Sequence, residues 1–332
     1  MASRVTYLMA RSDVESVLTM QEALEAVEEA FRAYGEGKAQ MPPKSYLQFE
    51  KGDLRCMPAY LPELGLAAVK NVNVHPQNRD LPAVMATVTV FDPESGFPLA
   101  IMDGMYLTAM RTGAAGGIAA KYLARKDSRV AGFVGAGTQA ETQLAALMIT
   151  VPGIRRVLVC DTRADRAAAF AEHSRAAYGL EASAVTLAEA VRSADILTTV
   201  TPVRKPIVRD QWVRPGTHIN AIGADAAGKQ ELETAILLRA KVVIDDWQQA
   251  SHGGEINVAV AEGALSREAV HAEIGAVVTG QKVGRETDEE VTVFDSTGLA
   301  VQDVACAARV YRRLMEQQGA RSRLRTVDFL AG

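Results

Sequence analysis

The stretch that most constrains this chain is Arg129-Val130-Ala131-Gly132-Phe133-Val134-Gly135-Ala136-Gly137-Thr138-Gln139-Ala140. Val130, Phe133 and Val134 supply a short apolar run that reads as a buried strand. Gly135 allows a tight turn, and Gly137 lets backbone approach a ligand without a side chain in the way. Ala140 is the third small position, where a new helix packs on the strand. That helix, about Gln139 to Thr150, presents free N–H groups and roughly half a positive charge at its start, a place for a pyrophosphate. A second apolar run, Val157-Leu158-Val159-Cys160, follows after one helix length and ends in Asp161, roughly 20 residues beyond Ala140. An acid there accepts hydrogen bonds from a ribose 2′-hydroxyl. Its charge would repel a 2′-phosphate, which favours NAD over NADP, although Arg163 and Arg166 lie close. The residues alone leave open a plain strand-turn-helix in which Asp161 is a cap.

From Arg129 onward the pattern alternates. Helices are expected at 164–178, 187–193 and 231–240, and strands at 196–201, 217–222, 241–246 and 291–294. This alternation predicts a doubly wound parallel sheet of Rossmann type. The segment before it reads differently. Residues 12–36 form a first helix, with Ser12 or Thr19 able to cap it, and Pro42-Pro43 makes an extended link. Short runs between Ser45 and Met102 then predict an antiparallel sheet. Thr108 to Ala124 is a helix whose glycines, Gly113, Gly116 and Gly117, imply close packing against something. A last helix, about Leu299 to Met315, returns to the first domain. The expected architecture is α/β: residues 126–299 as a dinucleotide-binding Rossmann domain, and 1–125 with 300–332 as an α+β substrate-binding and dimerisation domain.

Composition sets the outer bounds. The chain has 332 residues, 48% hydrophobic and 23% charged, with a net charge of −4. No general pull toward nucleic acid or an anionic membrane follows from that charge. No run of about 18 apolar residues predicts a membrane span. The N-terminus lacks the basic segment and apolar core of a signal peptide, so a cytoplasmic protein is expected. Cys56, Cys160 and Cys306 fit neither a disulfide framework nor a zinc site, and the five histidines have no metal-ligand spacing. No metal is expected.

Several motifs together resemble the ornithine cyclodeaminase/mu-crystallin family over essentially the full length. They are Met41-Pro42-Pro43-Lys44, Gly52-Asp53-Leu54-Arg55 with Met57-Pro58, Lys70 with Val72-Asn73 and His75-Pro76, and Arg111-Thr112-Gly113-Ala114. The 135–140 loop, Ile222-Gly223-Ala224-Asp225 and Asp295-Ser296-Thr297-Gly298 complete the set. Within the family, Phe49 to Arg55, Gly228 to Leu232 and His252 to Val260 look most like the archaeal-type alanine dehydrogenases. The resemblance implies a homodimer formed through the sheets of the N-terminal domains, NAD as cofactor and a small amino-acid or 2-oxo-acid substrate. It implies cofactor contacts from Arg111, Thr112, Gly135, Gly137, Thr138, Gln139, Asp161, Thr162, Ile222, Gly223, Ala224, Lys229 and Ser296.

Oxidising an amino acid by hydride transfer needs a cation for the α-carboxylate, a base for the α-ammonium and a proton shuttle for imine hydrolysis. Lys44, Arg55 and Arg111 are the expected substrate-binding cations, since an arginine fork fits a carboxylate at two points. Lys70 lies in the apolar run Leu66-Ala67-Ala68-Val69-Lys70. Burial and neighbouring cations would lower its pKa toward neutrality, and the family's proton donor/acceptor lysine maps onto it. Asp225 follows a strand end, where ligands bind in such sheets; by resemblance it contacts the reacting amine and acts as base. Residues alone leave open a solvent-facing strand lysine and a capping aspartate. The expected activity is NAD-dependent oxidative deamination of a small L-amino acid, most simply L-alanine to pyruvate and ammonia. The alternatives are ornithine cyclodeamination to proline with catalytic NAD, imine or ketimine reduction, and a nucleotide-binding scaffold without turnover.

Overall fold

Alternation of buried and half-buried residues organises the first part of the chain into a sheet. In this computed structural model, which describes residues 5–317 and 319–331, the elements in order are β1 (Thr6–Met9), α1 (Arg11–Val17), α2 (Met20–Gly35), β2 (Ser45–Phe49), β3 (Gly52–Leu61), β4 (Leu66–Val74), β5 (Val84–Phe91), β6 (Pro98–Asp103) and α3 (Met105–Leu123). The single helix expected over 12–36 is two. The chain leaves helical geometry at Leu18 and restarts at Thr19, whose hydroxyl accepts from the Glu22 N–H. Strands β2 to β6 form an antiparallel meander in sequential order, and β1 pairs parallel to β6. On β4, Leu66, Ala68, Lys70 and Val72 are buried on one face. Lys70 thus occupies a core position, opposite Met57 on β3 and Val88 on β5.

The second part is the expected alternation. It comprises β7 (Val130–Val134), α4 (Thr138–Thr150), β8 (Arg156–Cys160), α5 (Ala164–Tyr178), β9 (Glu181–Ala184), α6 (Leu187–Ser193), β10 (Ile196–Thr199), β11 (His218–Ala221), α7 (Thr234–Arg239), β12 (Lys241–Ile244), α8 (Trp247–Gly253), α9 (Asn257–Ala261), β13 (Ala272–Glu273), α10 (Ile274–Val278) and β14 (Thr292–Asp295). The sheet order is β13-β12-β14-β11-β10-β7-β8-β9, and every pairing is parallel. Strand order reverses between β7 and β10, the switch point outside which ligands bind in such sheets. Both faces are covered. Phe133, Val157 and Val159 pack with the helices α4 and α5, while Val134, Leu158 and Cys160 pack with α6, α7 and α8. The close packing expected of the α3 glycines is found at Gly113 and Gly116, against α4. A Cβ on Gly113 or Gly116 would collide with Thr142 or Gln143.

The chain ends with α11 (Ala300–Glu316) and β15 (Arg325–Val327), and β15 pairs antiparallel with β1 to complete a seven-stranded first sheet. Helix α11 packs on α2 and across β3, β4 and β5. Two compact units result: Met1–Arg111 with Leu299–Gly332, and Thr112–Gly298. Among the described residues no helix is long and apolar enough to cross a membrane.

Candidate active site

The first unit gathers its charge beneath α11. Lys70 is 1% exposed, and its Nζ donates to Asp303 Oδ1 at 2.8 Å. Arg111 Nε donates to the same oxygen at 3.0 Å, and its Nη1 donates to Gln302 Oε1 at 3.1 Å. Burial, then the charges of Arg111 and Lys44, pull the Lys70 ammonium down to about 7, against the opposing pull of Asp303. At neutral pH this lysine can therefore both give and take a proton. Lys44 is half-buried just before β2. Arg55, on β3, directs its fork at a neighbour: Nε and Nη2 donate to the two oxygens of Asp53 at 2.8 and 3.2 Å. Its guanidinium also lies 5.8 Å from the centre of the Tyr46 ring.

Four of the expected cations thus lie in the first unit, and the structure draws Lys70 and Arg111 onto one acid. Sequence reasoning missed that acid. Asp303 and its neighbour Gln302 lie near the start of α11, fully or almost fully buried. The sequence did carry a signal. Asp303, Ala307, Val310 and Leu314 recur at helical spacing, so Asp303 interrupts an apolar stripe.

In the second unit the glycine loop has the expected form. Gly135 has φ +100°, a left-handed conformation that a side chain would strain, and its N–H donates to the Cys160 carbonyl at 2.9 Å. A Cβ on Gly137 would meet nothing within 4 Å, so space remains at the start of α4. Thr138 and Gln139 open that helix, whose first N–H groups have no acceptor within it. Gln139 Oε1 is buried without a hydrogen-bond partner, and so is Ser296 Oγ, just beyond β14. Thr112, on α3, gives its carbonyl to the Gln143 amide at 2.8 Å.

Asp161, at the end of β8, braces the loop itself. Its Oδ2 accepts from Ala136 N–H and its Oδ1 from Arg163 N–H, both at 2.8 Å. Thr162 beside it is exposed, and Arg163 pairs with Asp165. Ile222, Gly223 and Ala224 follow β11. Asp225, which ends that run, is paired with Lys229, so the expected base and the expected cofactor lysine hold each other.

Glu231 and Glu255 were not foreseen as site residues, and the helix expected to start at 231 starts at Thr234. Both are 0% exposed. Glu231 accepts from the Thr199 and Thr201 hydroxyls, from Thr201 N–H and from Gly223 N–H, at 2.6 to 3.0 Å. It therefore ties the carboxyl ends of β10 and β11 together. Glu255 accepts from the N–H groups of Glu231 and Leu232. Burial raises both carboxyls above their ordinary range, and the charges of Glu231 and Asp295 raise Glu255 further. Among the described residues no group of three or more His, Cys, Asp or Glu is placed to hold a metal ion.

The glycine loop, the strand reversal and the open helix start define the fold as that of a dinucleotide-binding protein. The chain belongs to the ornithine cyclodeaminase/mu-crystallin family, whose sequence profile matches residues 4–318. It is 57% identical over 314 residues to the alanine dehydrogenase of Archaeoglobus fulgidus, covering 94% of this chain and 96% of that protein. A solved archaeal alanine dehydrogenase dimer with bound NAD superposes with a TM-score of 0.94 at 54% identity, covering 98% of this chain and 99% of that one. The Δ1-pyrroline-2-carboxylate reductase of Thermococcus litoralis, solved with NADH and L-proline, superposes at 0.91 with 40% identity, covering 94% and 98%.

Proposed function

We infer that this protein is an NAD-dependent amino-acid dehydrogenase that converts L-alanine, NAD and water to pyruvate, ammonium, NADH and a proton, reversibly. The observation that carries the reading is Lys70, a fully buried lysine that shares one Asp303 oxygen with the Arg111 guanidinium, where burial lowers its hold on a proton. Likeness to the archaeal alanine dehydrogenases supports the choice of substrate.

The residues present fit the cofactor. A pyrophosphate suits the open space at Gly137 and the start of α4, bounded by Gly135, Thr138 and Gln139. The uncommitted Ser296 hydroxyl suits the nicotinamide end, and Ile222, Gly223 and Ala224 line the neighbouring strand end. Asp161 and Thr162 suit the adenosine ribose, and the carboxylate favours NAD over NADP. Bound there, NAD would supply the acceptor for the hydride of the substrate α-carbon.

The remaining steps belong to the chain. Arg111 and Lys44 attract the substrate carboxylate, and Arg55 joins them by turning part of its fork away from Asp53. Neutral Lys70 accepts a proton from the α-ammonium, because only the free amine can become an imine. Protonated Lys70 then returns a proton as water adds and ammonia leaves. Asp225, exchanging its partner Lys229 for the reacting amine, serves as a second proton acceptor.

A homodimer is part of the same reading. Edge strand β2 exposes Tyr46, Leu47 and Phe49, apolar surface suited to a second copy. A cytoplasmic location accords with three free cysteines.

The Thermococcus relative favours a second reading, reduction of a cyclic imino acid, for which Lys70 would act as proton donor. A panel of amino and imino acids with NAD or NADH decides between them. Net NADH from alanine is expected. Proline formed from the cyclic imine, with no turnover of alanine, would establish the reductase. Proline and ammonia from ornithine without net NADH would establish a cyclodeaminase.

A further inference from the structure

Two buried cations share one carboxylate oxygen in the first unit. Asp303 Oδ1 accepts from Lys70 at 2.8 Å and from Arg111 at 3.0 Å, while Asp303 Oδ2 is buried without a partner. Gln302 accepts from Arg111 and from the Leu299 N–H, so its side chain braces the guanidinium and the start of α11 together. We propose that Asp303 is a positioning residue for the reaction: it fixes the Lys70 amine and the Arg111 guanidinium relative to each other and keeps Lys70 able to carry a proton. This inference rests on the dehydrogenase reading of the site.

The electrostatic argument is a balance. The groups acting on Lys70 are Arg111 from α3, Lys44 from the approach to β2 and Asp303 from α11. Its register neighbours, Met57 and Val88, are apolar. Cys306, one turn beyond Asp303, has its thiol pushed up to about 12 by burial and by Asp303, so it stays neutral. Asp303 is thus the one group among these that favours the charged lysine. Without it, burial and two cations would leave Lys70 a neutral amine through the physiological range, able to accept a proton but poor at holding one for the leaving ammonia. With it, the cluster keeps an excess of positive charge that a substrate carboxylate can neutralise.

The test uses the full-length enzyme, its Asp303→Asn and Asp303→Glu variants, and whichever substrate the panel shows to turn over. In deamination the rate climbs with pH as Lys70 loses its proton. The acid limb of kcat/KM should therefore move down by about one pH unit or more in D303N. Its kcat should fall roughly 10- to 100-fold as the amine loses its fixed position, with NADH affinity within about twofold of wild type. D303E keeps the charge but displaces it, so its limb should stay near that of wild type while kcat falls. An unmoved limb in D303N would overturn the proposal. If D303N does not fold, wild-type kcat and KM in D303E would overturn it, and an unmoved limb with lowered kcat would support it. NMR of lysines labelled with 13C at Cε, with the Lys70 signal assigned by its absence in Lys70→Met, reads the same shift across pH without turnover. Absence of any turnover by wild type with a normal Lys70 titration would count against the dehydrogenase reading alone.

Discussion

The two units bury charge in opposite ways. The first places Lys70 and Arg111 around a single carboxylate, Asp303. The second buries two glutamates, Glu231 and Glu255, on backbone N–H groups and threonine hydroxyls. In the first, cations outnumber the anion, and the lysine is left balanced between charged and neutral. In the second, the donors are fixed parts of strand ends and loops, so the carboxyls act as pins. Lys70 is flanked by charges of both signs, whereas the glutamates, like-charged neighbours of each other, are held by backbone and hydroxyl donors.

The largest test of this contrast is Lys70→Met. The flexible apolar chain fits the same core position, and Asp303 keeps Arg111 as partner. We expect kcat to fall roughly 100- to 10,000-fold, with NADH binding to the second unit unchanged by fluorescence titration. Loss of NADH binding as well would mean that Lys70 is holding structure rather than moving protons.

Glu231→Ala attacks the other cluster. It strands two N–H groups and two hydroxyls at the ends of β10 and β11. The cost should be about 3 kcal/mol or more, read from urea denaturation, with NADH binding weakened because the Gly223 loop loses its anchor. An unchanged denaturation midpoint would show that solvent replaces the carboxylate at no cost.

The smallest effect is a slope. Folding lowers the Lys70 pKa from 10.5 to about 7, so the unfolded chain binds more protons between those values. Stability relative to the Lys70→Met variant should therefore rise with pH from about 7 to 10.5, by at most about 1.4 kcal/mol per pH unit. Folding raises the glutamates instead. Relative to Glu231→Gln, wild type should lose stability as pH rises above the ordinary glutamate value of 4.5. Parallel rather than opposed slopes in urea melts would remove the contrast.

Much of the second unit was legible because its signals are local. Gly135 and Gly137, the apolar run before them and Asp161 after the next strand lie within a few dozen residues, and each states a backbone requirement. The placement of Lys70 was only half legible: the apolar run before it pointed inward, but the residues left a solvent-facing lysine open until β4 set it on the face of Leu66, Ala68 and Val72. The break at Leu18 was half legible: Thr19 stood out as a possible cap, but Ser12 offered another, and only the structure shows that Thr19 starts a second helix. The partners of the charged groups were not legible. Asp303 lies 233 residues from Lys70, and Asp53, two residues from Arg55, takes the fork that the sequence assigned to substrate.

By itself, then, the sequence determined where backbone must turn and which apolar faces must be buried. Those follow from periodicity and from the stereochemistry of single residues. Only the tertiary structure decided that Asp303 would share its oxygen between Lys70 and Arg111, that Asp161 would grip its own loop, and that Glu231 would join two strand ends. A side chain's proton affinity and its hydrogen bonds depend on what stands within a few ångströms of it, and folding brings those neighbours from distant parts of the chain.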